Sequence, residues 1–344
     1  MEVYMKKITV YVLVACVLLV AAIFIALGTK EDKPKEVTQI KVNEVVHSIF
    51  YAPQYVAIEK GFFEEEGLAI ELSVGQGADK SMVALISGSA DIALMGTEAG
   101  VYVFNEGKED FAIPFAQLTQ RAGNYLVSRN DDKTSFSWED VRGKTIIGGR
   151  PGGMPQMILE YVLHENGIMP FEDVEIVNNL QFTSTAGAFV SGIGDYTAEF
   201  DPSALSIEKE GAGYVVRSLG VDSGFVPYTV YMAQKSYIEK NPEIIQSFTN
   251  AVYKGQLWVN SHTSKEIAEV IHPHFSENSI EDLTIMVERY HEQNTWKNDP
   301  IFSKEGFELL QDVMEYGKEL SARIDFDKFI NIKFAQEAVN KIKQ

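Results

Sequence analysis

The 344-residue sequence predicts an α/β protein made of two lobes, with a membrane-targeting segment in front of them. Two successive series of strand, glycine-containing loop and helix support this prediction, one beginning near Thr38 and the other near Trp138. Series of this kind form parallel or mixed sheets whose faces are covered by helices. Further segments after residue 241 show the apolar spacing of amphipathic helices, and we expect them to pack outside the lobes.

The composition favours a packed globular protein and excludes several kinds of site. Hydrophobic residues make up 45% of the chain and aromatic residues 11%, as in proteins with a large core. The net charge of −19 argues against nucleic acid or an anionic membrane surface as a partner. The single cysteine, Cys16, cannot build a disulfide framework or a thiolate metal site. The six histidines are scattered and are interpreted as surface residues, so neither a metal nor a cofactor is expected.

The N-terminus has the features of a targeting segment. A basic start and an unbroken apolar run over Ile8–Leu27 predict a signal or anchor in residues 1–30, and a charged linker follows in residues 31–37. An uncleaved anchor is favoured because the run is longer than a signal peptide needs. A lipoprotein is the alternative, since residues 13–16 resemble a lipid-attachment box, although the residues after Cys16 are apolar. Plain secretion is the third possibility, and all three place the remaining chain outside the cytoplasmic membrane.

Two periodicities predict the elements of the first lobe. Alternating apolar residues predict a first strand over 38–46, and the helical spacing of Tyr55, Ile58 and Phe62 predicts a helix over 54–66, with Gly61 or Gly67 as its stop. Later strands are expected over 69–74, 92–95 and 113–118, with a second helix after the loop 75–79. The strand 92–95 is entirely apolar, which is typical of a central strand in a sheet that is buried on both faces.

Three loops in this lobe are candidate ligand loops because each follows a predicted strand. In α/β proteins, ligands bind where loops open at the carboxyl edge of the sheet. The loops are the aromatic stretch 47–53, the glycine-containing stretch 75–79, and Gly96 to Glu98. The stretch 75–79 lacks the lysine of a phosphate-binding loop, so nucleotide hydrolysis is not expected.

The second lobe repeats the pattern with different residues. Its predicted elements are a strand over 124–128, a short helix and strand over 138–147, a glycine-rich loop over 148–155, a helix over 156–165, a strand over 174–178, a helix over 185–191 and a strand over 195–200. A strand over 228–233 is expected to cross back. The lobes are therefore assigned as residues 38–121 for the first part of lobe one, 122–228 for lobe two and 229–335 for the return to lobe one.

Four segments resemble one known family. Residues 52–68 (APQYVAIEKGFFEEEGL), 84–96 (ALISGSADIALMG), 138–148 (WEDVRGKTIIG) and 192–202 (GIGDYTAEFDP) match its motifs in order and spacing. The family is that of solute-binding proteins of ABC importers, in the branch that serves nitrate, sulfonates and thiamine precursors. The resemblance covers roughly residues 38–330. Asp201 stands where either glutamate or aspartate is often found in the family.

The resemblance implies the two-lobed Venus-flytrap fold, periplasmic binding protein type II, with a small-molecule ligand in the cleft and hinge closure on binding. It also implies a monomer that docks onto a membrane permease served by an ATPase, and it implies no catalysis. A few biosynthetic enzymes share the fold. A same-fold enzyme is therefore one alternative, and a ligand-sensing domain held by the anchor is another.

The expected cleft residues stand at the loop ends along the carboxyl edges of the two sheets, with Gln117 near the crossover. The candidates are Ser48, Phe50, Tyr51, Gln76, Gly77, Thr97, Glu98, Gln120, Gly152, Gly153, Met154, Ser184, Thr185, Glu199, Asp201 and Tyr228.

Several of these residues also have a purely structural interpretation. Phe50 could fill the core of the lobe, and Tyr51 could lie at an exposed rim. Glu98 could cap the helix that follows it, since a carboxylate is favoured at that position. Asp201 before Pro202 is a good turn or cap residue. The pair of glycines at 152 and 153 is at least a turn.

The chemistry of the candidates favours a flat organic ligand. They include aromatic rings and carboxylates, whereas Arg150 is the one arginine beside the second-lobe loop. A nitrate or sulfonate ligand needs several cationic or N–H donors. Aromatic faces with acceptors suit an amine-bearing heterocycle, such as a thiamine-precursor pyrimidine or a related vitamin or nucleobase. Binding of a sulfonate or nitrate anion is the alternative.

Overall fold

Two five-stranded sheets, each flanked by helices, make up the chain from Thr38 onward. This computed structural model describes residues 1, 4–5, 37–130 and 134–342. Residues 1–37 form a separate unit, and the predicted anchor over Ile8–Leu27, including Cys16, lies outside the described residues. Within the described part, no helix is long and apolar enough to cross a membrane.

The first lobe opens with alternating strands and helices. Its elements in chain order are β1 (Thr38–Glu44), α1 (Ala52–Glu59), α2 (Phe62–Glu65), β2 (Leu68–Val74), α3 (Ala78–Ile86), β3 (Ile92–Gly96), α4 (Thr97–Asn105) and β4 (Ala112–Gln117).

The second lobe lies between the two crossovers of the chain. Its elements are β5 (Tyr125–Ser128), β6 (Thr145–Ile147), α5 (Met154–Glu165), β7 (Glu175–Val177), α6 (Thr185–Val190), β8 (Tyr196–Glu199), α7 (Ser203–Lys209), β9 (Tyr214–Ser218) and α8 (Leu219–Asp222). The sequence patterns did not predict α7 and β9, which are short and only partly buried.

The chain then returns to the first lobe and ends in helices. These elements are β10 (Thr229–Gln234), α9 (Lys235–Lys240), α10 (Pro242–Ser261), α11 (Ser264–Ile271), α12 (Ile280–Glu292), α13 (Lys304–Tyr316), α14 (Phe326–Phe329) and α15 (Lys333–Lys341). The last helix extends beyond the expected end at residue 335 and packs against β4 and α10.

Both sheets are mixed. The first has the order β2-β1-β3-β10-β4, and the second has the order β7-β6-β8-β5-β9. In the first sheet β1 runs parallel to β2 and β3, while β10 runs antiparallel to β3 and β4. Strand β3 is central and all five of its residues are buried, as its apolar sequence predicts. The sheet as a whole is mixed because the returning strand enters it from the opposite direction.

The single helix predicted over 54–66 is two helices, α1 and α2, because Gly61 interrupts it. Gly61 has φ +71°, which is the left-handed region. An α-helix requires φ near −63°, and glycine adopts the left-handed conformation without steric cost. The chain therefore turns at Gly61, and Phe63 is buried against Phe248 of α10 with ring centroids 5.1 Å apart.

Two crossover segments, 118–124 and 223–228, connect the lobes and are bonded to each other. Val226 N–H donates to the carbonyl oxygen of Gln120 at 3.0 Å, and Leu118 N–H donates to that of Thr229 at 3.1 Å. The hydroxyls of Thr119 and Thr229 lie 2.6 Å apart. These two segments are the connections between the two sheets, and the hydrogen bonds hold them side by side.

Helix α10 approaches α1 at a glycine. A Cβ added at Gly255 would collide with the backbone oxygen of Pro53 and lie 3.0 Å from the Cβ of Ala57. We predict that Gly255→Ala lowers the free energy of unfolding by about 1–3 kcal/mol, because the two helices must separate. Urea denaturation followed by circular dichroism measures this change.

Gly187→Ala is the matched control, since Gly187 is also helical but has open space around it. It should raise the free energy of unfolding, by up to about 1 kcal/mol, through the helix propensity of alanine. Equal effects of the two substitutions would contradict the close packing inferred at Gly255.

Candidate functional site

Five aromatic side chains, here called the aromatic cluster, meet beside the carboxyl ends of β1 and β8: Phe50, Tyr51, Phe200, Tyr228 and Tyr290. Phe50 lies at its centre, because its ring centroid is 5.5–5.7 Å from the centroid of each of the other four rings. Such distances are favourable for aromatic pairs. Phe200 belongs to the second lobe, Tyr228 to a crossover and Tyr290 to α12, so the cluster joins both lobes and the hinge.

The loop that supplies Phe50 and Tyr51 is a rigid 3-10 turn over Ile49–Tyr51. The Ser48 hydroxyl caps it by accepting a hydrogen bond from the Phe50 N–H at 3.2 Å. Trp296 Nε1 donates to the Phe50 carbonyl oxygen at 2.9 Å. Tyr51 is only 2% exposed, so its interpretation as an exposed rim residue is wrong. The turn is covered because α12 and the segment after it pack over it.

Several buried polar atoms around the aromatic cluster have no hydrogen-bond partner among the described residues. They are the hydroxyls of Tyr228 and Tyr125, Oε2 of Glu98, and both side-chain polar atoms of Asn124. Each of these residues is less than 5% exposed. Buried polar groups are nearly always paired, and an unpaired one marks a place where a ligand, ion or water is expected. Five such atoms close to one hinge are what a polar ligand site requires.

Glu98 is the most unusual of these groups. It stands in the first turn of α4 and is 3% exposed, and burial raises the pKa of its carboxyl to about 7. The backbone N–H groups of Glu98, Met154 and Ala99 face the carboxylate and lower its pKa in opposition to burial. The prediction that Glu98 caps its helix therefore agrees with its position, but Met154 adds a contact from the other lobe.

Two further buried acids lie at the carboxyl end of β8 in the second lobe: Glu199 is its last residue, and Asp201 follows it. Burial raises the pKa of Glu199 to about 7, while the Thr197 hydroxyl, which donates at 2.7 Å, and the Thr185 hydroxyl oppose the shift. Burial also raises the pKa of Asp201 to about 6, against the opposing charge of Arg289, whose Nη1 is 3.2 Å from Oδ1. The Leu205 N–H donates to the same oxygen at 3.0 Å, so Asp201 also has the capping role expected of it.

The lobes are in direct contact across the cleft, so the structure is closed. Tyr102 of α4 donates its hydroxyl hydrogen to the carbonyl oxygen of Gly152 at 2.7 Å. Arg150 pairs with Asp79 at 3.3 Å, beside Gly77. On the other side of the cleft, Arg289 bridges to Glu208 of α7 in addition to Asp201. The closed arrangement is thus held by neutral hydrogen bonds, such as that from Tyr102 to Gly152 and that from Ser218 to Gln293, and by ion pairs on both sides.

A buried acid behind the turn holds it in place, and the sequence patterns did not identify it. Glu44 is fully buried and accepts hydrogen bonds from Gln54 at 2.7 Å and from the Tyr55 hydroxyl at 2.8 Å. His47 lies with Nδ1 3.0 Å from Glu44 and Nε2 2.8 Å from the carbonyl oxygen of His274. Both ring nitrogens therefore face acceptors, which favours the doubly protonated imidazolium. The hydrogen bond to Glu44 is the largest cause of the raised pKa of His47.

This network corrects the interpretation of the histidines. His47, which is exposed as expected, and His274, which is half-buried, are not scattered but face each other, with ring centroids 6.3 Å apart, beside Tyr55 and Phe275. Sequence separation concealed this proximity because 226 residues lie between them. Among the described residues, no group of three or more acidic, histidine or cysteine side chains is placed to hold a metal ion.

The structure brings together part of the predicted set. Phe50, Tyr51 and Tyr228 belong to the aromatic cluster, Glu98 follows Thr97 at the start of α4, and Glu199 and Asp201 flank Phe200. The second-lobe loop contributes two contacts to the first lobe. The Gly152 carbonyl oxygen accepts from Tyr102, and the Met154 N–H faces Glu98, with Gly153 between them. Thr97 is bound to the crossover through the Pro227 carbonyl oxygen.

Other predicted residues lie farther from the aromatic cluster or have structural partners. Ser48 caps the 3-10 turn, and the Gln120 amide donates to the carbonyl oxygen of Asn294 at 3.1 Å. Gln76 and Ser184 are exposed. A role for these residues in binding stays a prediction.

Four residues of the site were not predicted: Phe200, Tyr290, Tyr125 and Asn124. Phe200 follows a predicted strand directly, so its place at a carboxyl edge was a usable signal. Tyr290 lies on a C-terminal helix that was expected to pack outside the lobes. No local pattern shows that this helix reaches the cleft, because the contact depends on how α12 crosses the hinge.

The buried acids predict a pH effect on stability. Glu199 has a pKa of about 7 in the folded chain, above its ordinary value of 4.5, so its contribution favours folding below pH 4.5 and is lost as the pH rises to about 7. In the parent, this effect should lower the free energy of unfolding by about 1–3 kcal/mol between pH 5 and pH 8. Glu199→Gln should abolish that decrease. Urea denaturation of the variant and the parent at both pH values measures this difference.

The matched control is Glu210→Gln, an exposed carboxylate in the same lobe. It should leave the pH dependence of the unfolding free energy unchanged. Parallel pH profiles for the parent and Glu199→Gln would show that Glu199 is not buried as described.

Comparison with known proteins agrees with this architecture. The NMT1/THI5-like family model matches residues 49–265. YtlA of Bacillus subtilis (strain 168), named as a candidate binding protein, is 42% identical over 323 residues, which are 94% of this chain and 96% of YtlA.

Solved structures share the fold at low identity. The periplasmic aliphatic sulphonate binding protein SsuA of Escherichia coli matches with a TM-score of 0.67 and 17% identity, over 85% of this chain and 97% of SsuA. The periplasmic nitrate-binding protein NrtA of Synechocystis PCC 6803 matches with a TM-score of 0.67 and 18% identity, over 90% of each chain. The two-lobed binding-protein fold predicted from the sequence is confirmed. The chain belongs to the NMT1/THI5-like family, and its predicted kinship with the solute-binding proteins of ABC importers is confirmed.

Proposed function

We propose that this chain is the extracytoplasmic substrate-binding component of an ABC importer and that it captures a small organic nutrient between its lobes. The observation that carries the proposal is the aromatic cluster with its unpartnered buried polar atoms, which include the hydroxyl of Tyr228 and Oε2 of Glu98. Aromatic surfaces with a few unpaired polar groups are the composition of a small-molecule site. The two crossovers, one of which ends with Tyr228, let the lobes open and close around the ligand.

The charges near the aromatic cluster favour a neutral or cationic heteroaromatic ligand, such as a thiamine-precursor pyrimidine. Glu98 and Glu199 offer carboxylate acceptors, and the ring faces offer stacking surfaces. Two guanidinium groups that bridge the lobes already have acidic partners: Arg289 pairs with Asp201 and Glu208, and Arg150 pairs with Asp79. Arg121 of the crossover donates instead to the carbonyl oxygens of Gly220 and Val221. A ligand that brings N–H donors would therefore complete the site, whereas an anion would compete with carboxylates.

Binding of a sulfonate or nitrate is the second candidate. The names of SsuA and NrtA give these ligands for proteins of the same fold. Two helices, α4 and α5, also direct their N-termini towards Glu98, and helix N-termini attract anions. Ligand binding by the protein itself distinguishes the two candidates.

The remaining parts of the proposal concern assembly. We infer that a monomer of this chain delivers its ligand to a membrane permease driven by an ATPase subunit, and that the N-terminal segment tethers it to the outer face of the membrane. Belonging to the NMT1/THI5-like family and the two-lobed fold support this inference. Catalysis is not part of the proposal.

A thermal-shift titration of the full-length protein tests the ligand class. An aminopyrimidine thiamine precursor should raise the melting temperature as the logarithm of ligand excess, with about 2.7 kcal/mol of stabilisation at a 100-fold excess over Kd. Methanesulfonate and nitrate at the same ionic strength should not. Stabilisation by the anions alone would establish the second candidate instead.

Two tyrosine variants test whether the aromatic cluster binds the ligand. Tyr228→Phe removes a hydroxyl that has no partner within the described part of the chain, so it should leave the unfolding free energy of the free protein nearly unchanged. It should weaken ligand binding about 2–10-fold, the equivalent of one hydrogen bond. Isothermal titration calorimetry and urea denaturation measure the two quantities.

Tyr55→Phe is the matched control, because its hydroxyl is bonded to Glu44 behind the turn. It should lower the free energy of unfolding by about 1–2 kcal/mol. Its direct effect on ligand contacts should be small. If Tyr228→Phe binds the ligand as tightly as the parent does, the Tyr228 hydroxyl is not part of the ligand site.

A further inference from the structure

Two helix N-termini from opposite lobes converge on one carboxylate. Helix α4 of the first lobe has nine residues and begins at Thr97, and α5 of the second lobe has twelve residues and begins at Met154. The backbone N–H groups of Met154 and Ala99 both face the side chain of Glu98. Each helix N-terminus carries a partial positive charge, and two of them together form a position that favours an anion.

The carboxylate that occupies this position belongs to the chain itself. Glu98 is 97% buried, because its relative exposure is 3%. Its Oε2 has no hydrogen-bond partner among the described residues. No charged side chain is among the causes of its pKa shift, which are burial and backbone N–H groups. The backbone N–H groups at the starts of α4 and α5 face the Glu98 carboxylate, and Tyr51, Tyr102 and Tyr228 lie near it. Among the described residues, no lysine or arginine forms an ion pair with it.

The local backbone is shaped to admit this carboxylate. Gly96 is the N-cap of α4, and a Cβ added there would collide with both carboxylate oxygens of Glu98. Any side chain at position 96 would push the carboxylate out of its place. Glycine at this position therefore allows the Glu98 side chain to fold back over the start of its own helix.

We propose that Glu98 is a specificity-determining residue whose carboxylate fills an anion position between the N-termini of α4 and α5, and so excludes small anionic ligands from the cleft. The inference deepens the proposed function, on which it rests for the role of the cleft in ligand capture. The ligand class that follows is neutral or cationic. The N–H groups of α4 and α5 that could bind a sulfonate or nitrate already face a tethered carboxylate, and a second anion beside it would meet like charge in a water-poor site.

The test is a gain of anion binding on removal of the carboxylate. The full-length parent and Glu98→Ala are titrated with methanesulfonate and with nitrate against sodium chloride at equal ionic strength, and Tm and intrinsic fluorescence are recorded. Glu98→Ala should show saturable stabilisation by the two oxyanions, with an apparent affinity at least about tenfold higher than that of the parent. The parent should respond to them as it responds to chloride.

Two additional variants complete the test: one is a control, and the other is a substitute for Glu98→Ala. Glu319→Ala removes a carboxylate whose oxygens lie about 3.5 Å from the Cβ position of Gly152, yet it leaves the position between the helices filled, so it should gain no anion binding. Glu98→Ser replaces Glu98→Ala if the alanine variant does not fold, because the short side chain also vacates the position. A folded Glu98→Ala or Glu98→Ser variant with no gain overturns the inference.

The same titrations separate this inference from the proposed function. If the parent binds an aminopyrimidine and the vacated variants gain no anion binding, the specificity role of Glu98 is wrong and the proposed function stands. If the parent already binds methanesulfonate as tightly as the Glu98 variants do, Glu98 does not exclude anions, and both the inference and the heteroaromatic ligand class are wrong.

Discussion

The packing of Phe50 is the contact on which the arrangement of the two lobes depends. Its ring touches a residue of the second lobe, a crossover residue and α12, and the glycine at position 123 leaves room for it. A Cβ at Gly123 would lie 2.5 Å from two atoms of the Phe50 ring. The ring is held from behind by the 3-10 turn, and that turn is in contact with the buried network of Glu44. A substitution in the ring contacts, in the 3-10 turn or in the Glu44 network should therefore alter the cleft.

The electrostatic character of the cleft is set by its buried carboxylates and by the pairing of Arg289 with acids. Beside the aromatic cluster, the guanidinium group of Arg289 is paired with Asp201 and Glu208, while Glu98 and Glu199 retain raised pKa values because burial removes water from them. A buried carboxylate without a cation is costly. A ligand that supplies N–H donors or a positive charge lowers that cost when it binds, and this links the chemistry of the site to the closure of the lobes.

Much of the fold could be predicted from the sequence because its signals are local. The apolar run of β3 and the helical spacing in α1 and α10 depend on neighbouring residues alone. The predicted helix over 54–66 differs from the structure because Gly61 adopts a left-handed conformation that periodicity does not register. Short, half-exposed elements such as α7 and β9 were not predicted, since their apolar faces are too small to produce a pattern.

The sequence by itself determined the two α/β lobes, the family and the loops that carry Phe50, Glu98 and Asp201, because those features follow from periodicity and from motifs of adjacent residues. Only the tertiary structure decided which of these side chains meet. Tyr290 reaches Phe50 across 239 intervening residues, and Met154 reaches Glu98 from the opposite lobe. Such contacts depend on how the two sheets are oriented relative to each other, and no pattern along the chain encodes that orientation locally.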